Sequence, residues 1–317
     1  MKHASLLLYL LTLQTGMLFA DKRPAINHLY LDLVDTTRNR TVPVKIYLPP
    51  GHKEAYPVVI FSHGLGGSRD GASYLGEHWA ENGFVAVYVQ HPGSDVTVWK
   101  DASPGKKFDE LKQAANFRSF KDRVVDITFV LDQLEAMDGD KGHALHGQVD
   151  LAHIGMSGHS FGGMTTQAIM GQVFPFGISY PDPRIKACLI MSPSEAKGIP
   201  AEKAFGQVHL PVLCMTGTDD RSPVDRTVTP ESRLTVYKAL PTGSAYQLVL
   251  DGAQHFVFSG PGGRRGKLVK PHMHAAIKEL STLFWKAYLC DDQSASKALR
   301  SDDVKKWLQN DDRWMWK

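Results

Sequence analysis

Cysteine is scarce in this sequence, and its scarcity limits how the fold can be held together. The 317 residues include three cysteines, Cys188, Cys214 and Cys290. An odd number leaves at least one thiol unpaired within a monomer, so disulfide bonds do not define the fold. Cys188 and Cys214 each lie in an apolar run that predicts a core strand, where a thiol behaves as a small hydrophobic group. The sequence alone leaves a bridge between these two open.

A strong charge of one sign is also missing. The formal net charge is +3 and the pI is near 8.6, and the Lys and Arg residues are scattered along the chain. This balance argues against a nucleic-acid-binding face. Hydrophobic residues make up 43% of the chain, which is enough for one large core. We therefore expect a single domain over residues 21–317 that is monomeric or weakly self-associating and has no nucleic acid partner.

No apolar run is long enough to span a membrane. The apolar stretch at residues 4–13 is followed at once by polar residues, so it falls short of the roughly 20 residues that a spanning helix needs. Lys2 precedes this stretch and a small-residue cleavage box at residues 18–20 follows it, which is the order found in a signal peptide. We expect residues 1–20 to be removed, so that the secreted or periplasmic chain begins near Asp21 without a transmembrane segment.

The sequence does contain a regular alternation of strand and helix patterns. Short apolar runs bounded by Gly and Pro predict strands, and apolar residues at helical spacing predict the helices between them. The alternation predicts an α/β fold with a mostly parallel, doubly wound sheet that carries helices on both faces. The predicted strands lie at residues 29–34, 42–48, 57–61, 84–89, 152–156, 185–191, 212–215 and 246–250, and the predicted helices at residues 74–82, 118–134, 161–170, 232–240 and 272–288.

Two segments fall outside this alternation. Residues 91–117 are polar, interrupted by Pro and Gly, and longer than most connections, so we expect a lid or a substrate-binding loop. Beyond residue 294 we expect a helical stretch, followed by Trp314 and Trp316 packed against the domain surface.

Residues 158–162 carry the pattern Gly-x-Ser-x-Gly around Ser160. The two glycines permit a sharp strand-to-helix turn that exposes the serine hydroxyl. By chance the pattern would occur about 0.1 times in a chain of this length, so its context carries the argument. A predicted strand enters and a predicted helix leaves, and we therefore interpret Ser160 as a candidate nucleophile.

A nucleophilic serine needs a base within hydrogen-bond reach and a third group that orients the base. In strand-turn-helix sites of this kind the acid and then the histidine follow the serine along the chain. Asp219 and Asp220 follow one predicted strand and His255 follows the next. Successive residues in a turn point in different directions, so one aspartate alone can face His255; we favour Asp220 and keep Asp219 as the alternative. We expect His159 to point away from Ser160.

A tetrahedral intermediate would need two backbone N–H donors aimed at its oxygen. Phe161 directly follows Ser160 and supplies one of them. Leu65, in the Gly-rich loop at residues 63–67, is in a position to supply the other. The apolar candidates for substrate binding are Met164, Phe256 and Trp99.

His272 and His274 form a His-x-His pair that could suggest a metal site. No carboxylate or cysteine at ligand spacing accompanies the pair. We therefore expect no metal at this pair.

Three stretches carry a resemblance to known enzymes: Val-Val-Ile-Phe-Ser-His-Gly-Leu-Gly-Gly at residues 58–67, Asn-Gly-Phe-Val-Ala-Val at residues 82–87, and Gly-His-Ser-Phe-Gly-Gly at residues 158–163. The sequence resembles platelet-activating factor acetylhydrolases and bacterial dienelactone-hydrolase-like esterases over roughly residues 42–288. The resemblance implies an α/β-hydrolase fold, a Ser-His-Asp triad that hydrolyses carboxylic esters without a cofactor, and Leu65 and Phe161 as oxyanion donors. True dienelactone hydrolases use a cysteine where this sequence has Ser160, so lactone opening is not implied.

Three hypotheses of function follow from these patterns. The leading one is a secreted serine hydrolase of esters with short or medium acyl groups, extending to acetylated phospholipid-like esters. The alternative is a polyester or cutinase-like hydrolase, which would share the fold and need an open cleft. The third is an inactive protein that binds an ester or a lipid surface; it would require a missing triad residue, and none is missing.

Overall fold

The computed structural model describes residues 26–51, 55–103, 105–260, 270–309 and 311–317. The signal peptide predicted for residues 1–20 lies outside these ranges, and the single domain expected over residues 21–317 stays a prediction. Within the described ranges, no helix is long and apolar enough to cross a membrane.

The described residues form one mixed β-sheet. Its nine strands are β1 (Asn27–Asp35), β2 (Arg40–Leu48), β3 (Tyr56–Ser62), β4 (Val85–Val89), β5 (Val149–His159), β6 (Ile185–Met191), β7 (Val212–Asp219), β8 (Ala245–Gln254) and β9 (Arg313–Trp316). Their spatial order is β1-β2-β4-β3-β5-β6-β7-β8-β9. The six strands from β4 to β8 in this order are parallel, and the pairs β1–β2, β2–β4 and β8–β9 are antiparallel. The expectation of a mostly parallel α/β sheet is confirmed.

Helices cover both faces of this sheet. The α-helices of the described residues are α1 (Ser73–Glu81), α2 (Thr97–Lys100), α3 (Lys107–Ala114), α4 (Phe117–Gly139), α5 (Phe161–Ile169), α6 (Ala201–Phe205), α7 (Thr235–Ala239), α8 (Pro271–Leu289) and α9 (Gln293–Leu299). Side chains alternate across a strand, so Ile60 of β3 packs in one core with Ile127 of α4, whereas Phe61 packs in the other core with Trp79 of α1 and Trp285 of α8. Both faces of the central strands are therefore buried.

The carboxyl ends of four parallel strands converge at one edge of the sheet. Open α/β sheets bind ligands at this edge. Strands β3, β5, β7 and β8 end there, and the residues that follow them directly are His63, Ser160, Asp220 and His255. The fold thus gathers residues that are far apart in the sequence.

The C-terminal tail differs from expectation. Surface packing was predicted for Trp314 and Trp316, but both lie in β9, where they pair with Leu248 and Tyr246 of β8. The physical reason is that β8 would otherwise present a row of unpaired N–H and C=O groups at the sheet edge. A strand of four residues is too short to show a clear alternating pattern.

The three cysteines are free thiols. Cys188 and Cys214 are buried in the neighbouring strands β6 and β7, and Cys290 is exposed. Burial raises the pKa of Cys188 and of Cys214, which keeps both thiols protonated. They act as small packing groups, and no disulfide links them.

Candidate active site

Ser160 lies at the sharp turn between β5 and α5. Its backbone has φ 57° and ψ −113°, an unusual conformation for a residue with a Cβ. The turn is tight because two glycines allow close approach. A Cβ on Gly162 would collide with the carbonyl oxygen of Ser62, and a Cβ on Gly158 would collide with that of Gly162. The Gly-x-Ser-x-Gly pattern therefore has a steric basis in this fold.

Three side chains form a continuous chain of hydrogen bonds. Ser160 Oγ lies 2.9 Å from His255 Nε2, and His255 Nδ1 lies 2.7 Å from Asp220 Oδ1. Because an ionised carboxylate can only accept, Nδ1 donates to Asp220, and Nε2 is left to accept from the Ser160 hydroxyl. Thr216 donates to the other Asp220 oxygen at 2.8 Å. Asp219 is exposed at the end of β7, so the structure brings Asp220 to His255 and leaves Asp219 outside.

Arg233 is buried beside Asp220, and the sequence reasoning missed it. Burial favours a raised pKa for Asp220, but the hydrogen bond from His255 and the charge of Arg233 outweigh burial and lower this pKa to about 2. Arg233 Nε is 3.3 Å from Asp220 Oδ1. The sequence feature that could have indicated its burial is its spacing from Val236. Arg233 precedes the buried Val236 by three positions, which places both on the same side of a helix.

The two predicted oxyanion donors lie on segments that meet beside Ser160. Phe161 begins α5, and Leu65 lies in the loop that follows β3; both line a cavity together with Ser160. Among the described residues, no acceptor takes a hydrogen bond from the backbone N–H of Leu65 or of Phe161. Both groups are therefore available to a ligand oxygen, and their role as donors stays a prediction.

Arg123 of α4 is buried beneath this loop and was also missed. Its guanidinium donates to the carbonyl oxygen of His63 at 2.7 Å and to Ser94 Oγ at 2.8 Å. Its Cζ lies 4.5 Å from the centre of the Phe161 ring. Burial lowers the pKa of Arg123 to about 9, so the side chain is still cationic at neutral pH.

A second serine, histidine and aspartate are linked in a buried chain next to Arg123. Ser62 Oγ is 2.9 Å from His91 Nε2, and His91 Nδ1 is 3.0 Å from Asp126 Oδ2. Arg38 and Arg40 each donate to Asp126 at 2.8 Å. Burial lowers the pKa of His91 to about 4, so this imidazole is neutral. Ser62, His91 and Asp126 are all 0% exposed, so this chain supports structure and cannot meet a substrate.

The prediction that His159 points away from the nucleophile is wrong. His159 lines the same cavity as Ser160, and its ring centre lies 4.7 Å from that of His255. The turn at Ser160 leaves regular strand geometry, so the alternation of side-chain directions along β5 does not extend through it. Burial and the neighbouring His255 lower the pKa of His159, which keeps it neutral.

Comparison with known proteins finds similarity to two groups of ester hydrolases. The family model described as platelet-activating factor acetylhydrolase, isoform II, matches residues 24–180. A platelet-activating factor acetylhydrolase from Cavia porcellus is 28% identical over 147 residues, and Cutinase 2 from Thermobifida cellulosilytica is 26% identical over 220 residues. The sheet and these similarities agree with an α/β-hydrolase fold, and the chain resembles serine ester hydrolases of this fold. The resemblance to acetylhydrolases stated from the sequence is confirmed.

These relatives match the chain over part of their length. The alignment with the Cavia porcellus enzyme covers 39% of this chain and 34% of the relative, and the alignment with Cutinase 2 covers 69% and 67%. Cutinase cut1 from Thermobifida fusca is 26% identical, and the alignment covers 69% of this chain and 55% of the relative. The chain thus spans about a third of the acetylhydrolase and more than half of each cutinase.

A cavity of about 360 Å³ opens beside Ser160. The predicted substrate-binding residues Trp99 and Phe256 line it, as do His255 and, from α3, Phe108 and Leu111. Trp99 Nε1 donates to the carbonyl of Gly66 at 2.8 Å, which joins α2 to the Gly-rich loop. Residues 91–117 therefore contain two short helices and supply one wall of this cavity.

A second cavity of about 260 Å³ also opens at Ser160. Its apolar lining includes Leu65, Phe120, Phe161, Met164 and Phe174. Ser160, Leu65 and Val224 line both cavities. Met164 is thus brought close to the nucleophile, on a different wall from Trp99 and Phe256.

The two histidines of the His-x-His pair make two separate contacts. His272 Nε2 lies 3.4 Å from Asp312, and His274 Nε2 donates to the carbonyl of Val257 at 2.9 Å. In the part of the chain that the structure describes, no group of three or more His, Cys, Asp or Glu side chains could hold a metal ion.

Proposed function

We propose that this chain hydrolyses carboxylic esters through a Ser160-His255-Asp220 triad and an acyl-enzyme intermediate. The observation that carries the proposal is the hydrogen-bond chain from Asp220 through His255 to Ser160, at the opening of two cavities. The similarity to platelet-activating factor acetylhydrolases and to cutinases supports the same class of reaction.

The proposed reaction proceeds in two halves. Ser160 Oγ attacks the carbonyl carbon of the ester while His255 Nε2 accepts the hydroxyl proton. The oxyanion accepts hydrogen bonds from the backbone N–H groups of Leu65 and Phe161. His255 then gives its proton to the leaving alcohol, and the acyl group stays on Ser160. Water attacks this acyl-enzyme along the same proton path and releases the acid.

Asp220 supports both halves without changing its own protonation. Its pKa of about 2 keeps it ionised at neutral pH. The carboxylate holds the proton of His255 on Nδ1 and stabilises the imidazolium that forms when Nε2 is protonated.

The two cavities support binding of the two parts of the ester in separate places, one for the alcohol part and one for the acyl part. The leaving group has to stay near His255, which protonates it, so we assign the alcohol to the cavity lined by Trp99 and Phe256. The acyl group then occupies the cavity lined by Met164. A volume of about 260 Å³ is more than an acetyl group needs, which favours short and medium acyl chains over acetyl alone.

The proposal is tested by replacing Ser160 with alanine and measuring hydrolysis of p-nitrophenyl butyrate. We expect kcat to fall by a factor on the order of 10⁶, since His255 has no hydroxyl left to activate. Ser296→Ala is the matched control, because Ser296 lies in α9 and lines neither cavity. A fluorophosphonate probe should label the wild type and the control and spare Ser160→Ala. An unchanged rate in Ser160→Ala would disprove the proposal.

A polyester or cutinase-like activity is the second candidate. It is favoured by the similarity to several Thermobifida cutinases. Release of soluble acids from a polyester film, compared with turnover of an acetylated phospholipid in vesicles, separates the two substrates. Film hydrolysis that requires Ser160 supports the cutinase-like activity, whereas phospholipid turnover without film hydrolysis argues against it.

The non-enzymatic alternative is an inactive protein that binds esters or lipids. The complete hydrogen-bond chain at Ser160 argues against it, because binding needs no activated hydroxyl. The fluorophosphonate experiment separates the two, since the probe reacts with an activated serine rather than with an exposed one. Folded protein that stays unlabelled but still binds ester vesicles would favour the binding role.

The export of the protein belongs to the same proposal. The order of charged, apolar and small residues supports a signal peptide at residues 1–20, followed by one catalytic domain at residues 21–317 in a secreted or periplasmic protein. Residues 91–117 would act there as a substrate-binding loop. Expression of the full chain followed by sequencing of the mature N-terminus should give a start near Asp21. An intact leader in the cytosol would contradict this.

A further inference from the structure

We infer that Arg123 is a positioning residue that fixes both oxyanion donors relative to Ser160. The inference rests on the proposed ester hydrolysis, because it assigns a role within that reaction. Arg123 contacts the loop that carries Leu65 and the ring of Phe161, and it lies behind both of them. It acts through these residues and not by contact with the substrate.

Arg123 holds the chain on both sides of Leu65. Before Leu65, Arg123 Nη1 donates to the carbonyl of His63 at 2.7 Å. After Leu65, the N–H of Gly66 donates to the carbonyl of Ser94 at 2.9 Å, and Ser94 Oγ in turn accepts from Arg123 Nε at 2.8 Å. A rotation of the peptide that carries the Leu65 N–H would disturb at least one of these bonds. The orientation of this donor is therefore tied to the guanidinium.

The same guanidinium also contacts the second donor residue. Its Cζ lies 4.5 Å from the ring centre of Phe161, a distance at which a cation is attracted to an aromatic face. Phe161 directly follows Ser160 and is itself buried. One rigid, planar group thus spans the gap between the loop after β3 and the turn after β5.

A packing role alone does not explain why an arginine occupies position 123, because of its electrostatic environment. Arg123 is 0% exposed, and among the described residues no carboxylate forms an ion pair with it. Asp126 is one turn away, but its oxygens are occupied by Arg38, Arg40 and His91. Burying such a cation is costly, and an apolar side chain of similar size would cost less. A positive charge beside the two donors also favours negative charge on the substrate oxygen.

The experiment compares Arg123→Met with a matched control, Arg184→Met. Arg184 forms ion pairs with Asp132, Glu135 and Asp182 and lines neither cavity. Its replacement therefore tests the loss of a well-contacted arginine away from the candidate site. With p-nitrophenyl butyrate, Arg123→Met should lower kcat about 10- to 100-fold and change KM less than about threefold, because the donors act in the transition state. The control should keep kcat within about twofold of the wild type.

Two further measurements separate positioning from loss of folded protein. First, kcat is expressed per serine titrated with a fluorophosphonate, so that unfolded molecules do not count. Second, the inhibition constant of a trifluoromethyl ketone, which forms a tetrahedral adduct, should rise by the factor by which kcat falls. A structural role alone would reduce the number of titrated sites and leave kcat per site and the inhibition constant unchanged.

Ser94→Ala provides the same test if Arg123→Met does not fold. It removes the acceptor of Arg123 Nε with the loss of one oxygen atom, and we expect kcat per site to fall about 3- to 10-fold. A value within about twofold of the wild type in whichever variant folds would overturn the inference. Wild-type protein that neither reacts with the fluorophosphonate nor hydrolyses esters would instead overturn the proposed function, so the two failures are distinguishable.

Discussion

Two adjacent aspartates lie at the carboxyl end of β7, Asp219 as its last residue and Asp220 directly after it, and their surroundings differ. Asp220 is 0% exposed and accepts hydrogen bonds from His255 and Thr216. The side chain of Asp219 is exposed to solvent. A carboxylate can hold the His255 proton on Nδ1 only from position 220. The chemical difference between the two residues therefore lies in position alone, since their side chains are identical.

The Asp220→Asn substitution removes the charge of Asp220 while nearly keeping the shape of its side chain. We expect Asp220→Asn to lower kcat by about 10⁴, because an amide can stabilise the unproductive tautomer of His255 and cannot stabilise its cationic form. Asp219→Asn, one residue away, should change kcat by less than about threefold. Steady-state hydrolysis of p-nitrophenyl butyrate measures both, and thermal unfolding checks that each variant folds. Equal losses in the two variants would show that the acid has been assigned wrongly.

The residues of the candidate site divide into those that the sequence could predict and those that it could not. Ser160 is the central residue of the Gly-x-Ser-x-Gly motif, and His255 directly follows a predicted strand, so local sequence patterns indicate both residues. Arg123 and Asp126 are buried by partners such as Arg40, which is 86 positions from Asp126 in the sequence. The one local signal was their spacing of three on a helix side that also carries the apolar Ile127. Recognising a buried charge requires the tertiary fold.

The β5–α5 turn leaves no room for a Cβ at Gly158 or Gly162. A Cβ on Gly162 would collide with the backbone carbonyl of Ser62, which cannot move away without shifting β3. Gly162→Ala should therefore lower the free energy of unfolding by about 2–3 kcal/mol and reduce fluorophosphonate labelling of Ser160. Gly139→Ala, in α4 with nothing near its Cβ, should leave stability unchanged or raise it by about 0.5–1 kcal/mol. Urea unfolding of both variants tests this, and equal stabilities would contradict the steric account.

The sequence predicted the elements in which buried residues recur regularly, because this recurrence appears as an apolar run or as apolar residues at helical spacing. Strand β4, with all five residues buried, stands out as an apolar run, and α8 shows apolar residues at helical spacing. The helix α3 was hidden within a segment interpreted as a loop, because most of its eight residues are polar and few of them are buried. Strand β9 depends on the open edge of β8, so its cause lies outside its own residues. Local patterns thus predict the central strands well and the peripheral elements poorly.

At the scale of the whole molecule, a buried polar network joins parts of the sheet and its helices. Asp126 of α4 binds Arg40 of β2 and His91 after β4, and His91 binds Ser62 at the end of β3. Burial lowers the pKa of His91 to about 4, so the network is built around a neutral imidazole. The fold therefore depends on a group that gains a proton readily once the chain unfolds.

This dependence predicts a loss of stability in weak acid. An unfolded histidine binds its proton near pH 6.5, whereas folded His91 binds it near pH 4, so the unfolded state holds more protons between these values. The stability due to His91 is therefore full above about pH 6.5 and falls as the pH is lowered towards 4. From pH 7 to 4.5 the loss should reach about 2.5 kcal/mol, measured by urea unfolding. His91→Gln should reduce this loss by the share of His91 and leave the part due to other buried neutral histidines, including His159. His28→Gln, at an exposed position, should leave the dependence as in the wild type. A wild-type stability that does not change from pH 7 to 4.5 would mean that the buried imidazole is not neutral.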